Sequence, residues 1–114
     1  VGASNQFFAF YYRNERVLMQ PQFMRGDLIA LSVLQENVVI ESGAPYIIDT
    51  KSIGFIFRNV YERGDKYECK VSNPKSQLED INIEKSDVIK IYRVVGLVRT
   101  NFKSNNYDFT KRTI

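Results

Sequence analysis

The stretch Leu18–Leu31, Leu-Met-Gln-Pro-Gln-Phe-Met-Arg-Gly-Asp-Leu-Ile-Ala-Leu, constrains the fold more than any other part of the sequence. Pro21 fixes its own φ and restricts Gln20, so neither a helix nor a regular strand continues through this point. Gly26-Asp27 is a turn dipeptide, because glycine takes positive φ freely and aspartate can hydrogen-bond nearby backbone. Leu28–Leu34 then reads as a short, buried, apolar strand. The chain must therefore turn a tight corner here and re-enter the core as a strand.

The remaining segments extend this β pattern. Phe7–Arg13 is aromatic almost throughout and is expected to be a strand buried on both faces or lying at an interface. Gln35–Glu41 holds the β-branched patch Val38-Val39-Ile40, and Ser42-Gly43-Ala44-Pro45 is a turn. Tyr46–Thr50 and Ser52–Val60 read as two strands. In the second, Ile53, Phe55 and Phe57 share one face, and Gly54, Ile56 and Arg58 the other. Glu62-Arg63-Gly64-Asp65 is a hairpin turn, and in Lys66–Val71 the residues Tyr67, Cys69 and Val71 alternate inward. Pro74 ends that strand, since proline cannot donate to a ladder. Lys75–Asp87 is a polar surface crossing anchored by Leu78, Ile81 and Ile83. Val88–Thr100 is the longest strand, with a bulge or bend at Gly96. Six or seven short strands with no convincing helix imply a mainly β fold, a partly closed barrel of mostly antiparallel strands.

At 114 residues the chain is expected to hold one domain: a linker over 1–6, a β domain over 7–100 and a polar tail over 101–114. It opens on Val1 rather than Met, as expected of a processed product or a domain of something longer. The net charge of +3, with no face dense in Lys or Arg, does not point to nucleic acid as a direct partner. A single cysteine leaves no internal disulfide and fits a reducing, cytoplasmic setting. No apolar run reaches the roughly 18 residues of a membrane span, so no membrane partner is expected.

The absence of histidine removes Ser-His-Asp and Cys-His arrangements and most zinc sites, and neither metal nor cofactor is expected. Cys69 has no imidazole to activate it and is expected in the core. Glu79, Asp80, Glu84 and Asp87 lie in a polar segment and read as solvated. No phosphate-cradling glycine pattern surrounds Gly26-Asp27. Lys103, Lys111 and Arg112 could reach a phosphate backbone, though a solvated tail is the plainer expectation.

Met19, Pro21, Phe23 and Gly26-Asp27, followed by an apolar strand, resemble the nucleophile segment of LexA-like self-cleaving repressors, Ser-Met-x-Pro-x-(aromatic)-x-x-Gly-Asp. Further marks occur in the same order. Gly43–Ile48 fits the turn and strand that follow, and Ser72-Asn73-Pro74 fits the Ser-Asn-Pro after the hairpin. Tyr92–Val98 fits the closing strand, and the likeness runs from about Phe7 to Thr100. The resemblance implies a LexA- and signal-peptidase-like fold. It also locates two departures. Leu18 stands where the family has its serine, preceded by Arg16 and Val17 instead of small, acidic residues. Phe57 stands where the family has its lysine, with Arg58 keeping the next position. In an active member a buried, neutral lysine deprotonates the serine. Leucine and phenylalanine can do neither, and a guanidinium stays protonated.

The resemblance therefore implies a regulatory domain without self-cleavage. Such a domain would homodimerise through β-strands and reach DNA only through a helix-turn-helix domain outside this chain. The expected interface is the strand Phe7–Tyr12 with Val88–Thr100, in particular Phe8, Phe10, Tyr12, Tyr92, Val94 and Leu97. Two alternatives are an active serine–lysine peptidase with a displaced nucleophile and a β-barrel for single-stranded nucleic acid. The latter would stack bases on Tyr11, Tyr12 and Tyr61 beside Arg58.

Overall fold

The structure, a computed structural model, describes residues 7–13, 16–35 and 39–99, and these form one antiparallel sheet. Its strands are β1 (Phe7–Tyr11), β2 (Leu28–Val33), β3 (Ala44–Thr50), β4 (Gly54–Arg63), β5 (Lys66–Lys70), β6 (Ile81–Glu84) and β7 (Val88–Val98). Their spatial order is β1-β2-β7-β3-β4-β5-β6. From β3 to β6 each strand pairs with the next, and β7 then returns to fill the place between β2 and β3. The β-branched run Val88–Val98 suits that doubly paired position. The bend expected near Gly96 is a bulge. Ala30 pairs with Gly96 but Leu31 pairs with Val94, which leaves Val95 as the extra residue.

Both sheet faces carry a core. Tyr12, Met19, Phe23, Ile29, Leu31 and Ile47 form one cluster; Ile40, Tyr46, Ile48, Val60, Cys69 and Ile83 form the other. The neighbours Ile47 and Ile48 enter different clusters, as strand alternation requires of a strand buried on both sides. The β4–β5 hairpin turns at Gly64-Asp65, with Gly64 at φ +62°. At Gly43 (φ +86°) any side chain would also press on the Tyr61 ring, whose atoms lie 3.2–3.3 Å from the Cβ position.

Several expectations need correction. The sheet is not closed: β1 and β6 are its opposite edges, and β6 has only four residues between 3-10 turns at Pro74–Glu79 and Lys85–Asp87. Phe7–Arg13 is not buried on both faces. Its strand is an edge that ends at Tyr11, with Phe7 66% and Phe8 45% exposed. Leu78 anchors nothing, since the 3-10 turn started by Asn73 and Pro74 leaves it 99% exposed. Of the patch Val38-Val39-Ile40, Val38 lies outside the described residues, and Val39 and Ile40 are not in a strand. The expected linker 1–6, Thr100 and the tail with Lys103, Lys111 and Arg112 also lie outside the described residues. No helix among the described residues is long and apolar enough to cross a membrane.

Candidate functional site

The corner between β1 and β2 is held by polar groups drawn from three parts of the chain. Tyr12 N donates to the Asp27 carbonyl and Gly26 N to the Tyr12 carbonyl, each at 2.8 Å, which carries the β1–β2 pairing into the turn. The Asp27 carboxylate is buried and accepts from Met24 N at 2.8 Å. Arg99 grips it with two nitrogens, Nε to Oδ1 at 2.8 Å and Nη2 to Oδ2 at 2.7 Å. Burial raises the carboxyl's pKa, but the Arg99 and Met24 hydrogen bonds and the Arg99 charge outweigh it and hold Asp27 below the usual range.

The far end of the corner is strapped by Ser72-Asn73. The Leu18 carbonyl accepts from Ser72 N at 3.1 Å and Asn73 N at 3.0 Å, and Asn73 Nδ2 donates to the Val17 carbonyl at 3.1 Å. Asn73 Oδ1 also accepts from Lys75 N at 3.0 Å, capping the 3-10 turn. Met19 N donates to the buried Tyr12 hydroxyl at 3.1 Å, and Val17 is held at φ +47°.

Beside this corner the first core opens into a groove of about 630 Å³. Phe8 and Phe10 of β1 form one side, and Phe55 and Phe57 of β4 the other. Leu31, Ile47 and Tyr92 line it from the strands between. Phe10 and Phe57 meet edge to face with centroids 5.9 Å apart. Four inter-strand steps would separate their strands by roughly 19 Å in a flat sheet. The sheet is therefore curled, though no ladder closes it. Phe57 also meets Tyr12 at 5.7 Å and Phe23 at 5.0 Å, while Tyr92 bridges Phe8 at 5.7 Å and Phe55 at 6.4 Å.

Leu18 and Phe57, the two positions singled out by the resemblance, line this one groove, as do Phe8, Phe10, Tyr12 and Tyr92. Leu18 and Tyr12 are buried. Val94 packs against the first core from β7, and Leu97 is exposed further along that strand. The groove lining contains no serine, lysine, aspartate or glutamate among the described residues. Its charged members are Arg13, Arg16 and Arg58. Arg58 is only 9% exposed, and donates from Nε to the Glu79 carbonyl at 3.2 Å and from Nη1 to the Phe57 carbonyl at 2.9 Å. Burial lowers its pKa and the Glu79 charge opposes that, and a guanidinium remains cationic.

The other candidate residues are dispersed. Glu79 pairs with Arg16, Asp80 accepts from Val71 N at 2.7 Å, Glu84 lies 3.6 Å from Lys66, and Asp87 accepts from the Ser52 hydroxyl. No group of three or more potential metal ligands exists among the described residues. Cys69 is fully buried, and burial pushes its thiol up to about 12. Tyr61 lies under the cations of Arg63 and Lys70, apart from the groove, and Tyr12 and Arg58 present no open stacking surface. The buried Asp27–Arg99 pair and the burial of Arg58 were not anticipated; both depend on partners distant in sequence, 72 residues away for Asp27. The chain matches no protein-family model, no curated protein and no solved structure.

Proposed function

We propose that this chain is a non-catalytic dimerisation and regulatory domain of a repressor-like transcriptional regulator, reaching DNA through an upstream helix-turn-helix domain. The observation that carries this reading is the β1 edge. It is five residues long, without charge, proline or bulge, and it bears exposed Phe7 and Phe8. Proteins ordinarily blunt or cover such an edge, because its free N–H and C=O groups accept another strand. A second copy running antiparallel would pair the edge with itself about a two-fold axis. The opposite edge contrasts with it: β6 is short, ends in Glu84 and is hemmed by 3-10 turns.

Two further features support the repressor-like part. The family marks are adjacent in space as well as ordered in sequence, with Ser72-Asn73 bonded to Leu18 and with Leu18 and Phe57 in one groove. Among the described residues that groove offers neither a serine or threonine hydroxyl nor a lysine amine, which favours a regulatory role over self-cleavage. Pairing two weak DNA-binding heads raises operator affinity through effective concentration.

Sedimentation equilibrium of the chain at micromolar concentration tests the proposal. The expected result is a reversible monomer–dimer equilibrium that Phe8→Lys shifts to monomer. A strict monomer up to several hundred micromolar would contradict it.

A further inference from the structure

The hydrogen bonds at the corner fix which main-chain groups of β1 are turned outward. Tyr12 N donates to the Asp27 carbonyl and the Tyr12 carbonyl accepts from Gly26 N, so both main-chain groups of Tyr12 point to β2. In an antiparallel ladder a residue sends its N–H and C=O to the same side, and that side alternates along the strand. Phe10 and Phe8 therefore also turn theirs to β2, opposite Ile29 and Leu31, while Phe7, Ala9 and Tyr11 turn theirs outward. No strand of the described residues meets that outer side. Side chains alternate as well. Phe8 and Phe10 face the groove, where they meet Tyr92 and Phe57, and Phe7, Ala9 and Tyr11 face the other side of the sheet. The strand Phe-Phe-Ala-Phe-Tyr is also nearly palindromic, with two aromatic residues on each side of Ala9 and no charge to select a different partner.

We infer that a second copy of this chain pairs with β1 about a two-fold axis at Ala9. This rests on β1 being the dimer edge and fixes how the two edges meet. Directly opposite residues of an antiparallel pair either exchange both hydrogen bonds or exchange none, so the outward-facing Phe7, Ala9 and Tyr11 must meet one another. Of the two-fold registers that obey this, the one centred on Ala9 alone uses the whole strand. Ala9 meets its own copy, Phe7 meets Tyr11 of the partner subunit, and Phe8 meets Phe10 of the partner subunit. About six main-chain hydrogen bonds follow, two from each hydrogen-bonded pair. An axis at Phe8 leaves Phe10 and Tyr11 outside the β1–β1 pairing, and an axis at Phe10 leaves out Phe7 and Phe8. Aromatic rings directly opposite one another strengthen a ladder, and the small Ala9 side chain keeps the axis free of bulk. The axis stands normal to the sheet, so the two groove faces lie on the same side. Phe10 of the partner subunit then joins the groove rim beside Phe8, whose ring is 45% exposed in one copy. Each copy thus contributes a ring to the other's groove.

Disulfide formation between introduced cysteines tests the register. Cys69 is fully buried, so an introduced thiol is the one that reacts. Opposite residues of a hydrogen-bonded pair have Cα atoms about 5.5 Å apart, within the range that a disulfide spans. Ala9→Cys should therefore give mainly covalent dimer in a glutathione redox buffer. Phe7→Cys and Tyr11→Cys each lie four residues from their own copies, about 13 Å along the strand, and each alone should stay uncrosslinked. Mixed together, these two variants should cross-link to each other, and the mixture decides the register should Ala9→Cys not fold. Sedimentation of the unchanged chain separates the two ways to fail. The register is overturned, and the pairing left standing, if the chain dimerises but folded Ala9→Cys forms no disulfide, or if the mixture cross-links no more than either variant alone. A chain that stays monomeric up to several hundred micromolar overturns both.

Discussion

Asp27 is the residue on which most of the corner converges, since it joins the Met24 amide, the Tyr12 amide and the Arg99 guanidinium at one buried point. Removing its carboxylate in Asp27→Ala should cost about 2 kcal/mol in urea unfolding, the scale of lost charge-assisted hydrogen bonds. Because its folded pKa is depressed, its contribution is present above the ordinary carboxylate range and is lost as pH falls through the folded value. Asp27→Asn should therefore flatten the acid limb of a stability–pH curve below about pH 4. Val17 is a β-branched residue at φ +47°, a conformation that costs roughly 1–3 kcal/mol. Val17→Asn should raise stability by about 1 kcal/mol on the same assay. Cys69 should resist a disulfide reagent in the folded protein and react at a rate that climbs with urea, because its thiol is buried and un-ionised at neutral pH. At this scale legibility followed distance along the chain. The local hydrogen bond that Met24 N donates to the Asp27 carboxylate could be read from Gly26-Asp27, and the burial of Cys69 from alternation. Nothing near Arg99 or Arg58 announced a partner many residues away.

Among the elements, β4 and the Ser72-Asn73 strap bind the corner to the sheet. Phe57 touches three other aromatic rings, so Phe57→Ala should destabilise by about 3 kcal/mol, the cost of emptying a large aromatic site. Asn73→Ala removes a 3-10 cap and a bond to Val17 together and should cost about 1–2 kcal/mol. Strands with one wet face were readable. Lys66–Lys70 alternates because its Tyr67 and Cys69 face a core while Lys66 and Lys70 face water. Unalternating runs were not. An all-aromatic segment such as Phe7–Tyr11 carries no period that separates a buried strand from an exposed edge, and its place at the edge is set by which strands pair. Leu78 misled for a related reason. A lone leucine in a polar segment looks like an anchor, but its direction was fixed by the Asn73–Pro74 turn, which points it to solvent.

For the whole molecule, the mainly β character and the number of strands were legible from turn spacing. The closure was not, because curl and closure depend on whether the outermost strands meet. Here the sheet curls enough to bring Phe10 against Phe57 and, among the described residues, still pairs β1 on one side only. That open, uncharged edge is the centre of the proposed function, and amide hydrogen exchange tests it most directly. Exchange should be followed over the β1 amides that point away from β2, at chain concentrations from one to several hundred micromolar. Pairing through β1 predicts that these amides become protected as concentration rises, with the β6 edge unchanged. Exchange of the β1 amides that is fast and independent of concentration would contradict it.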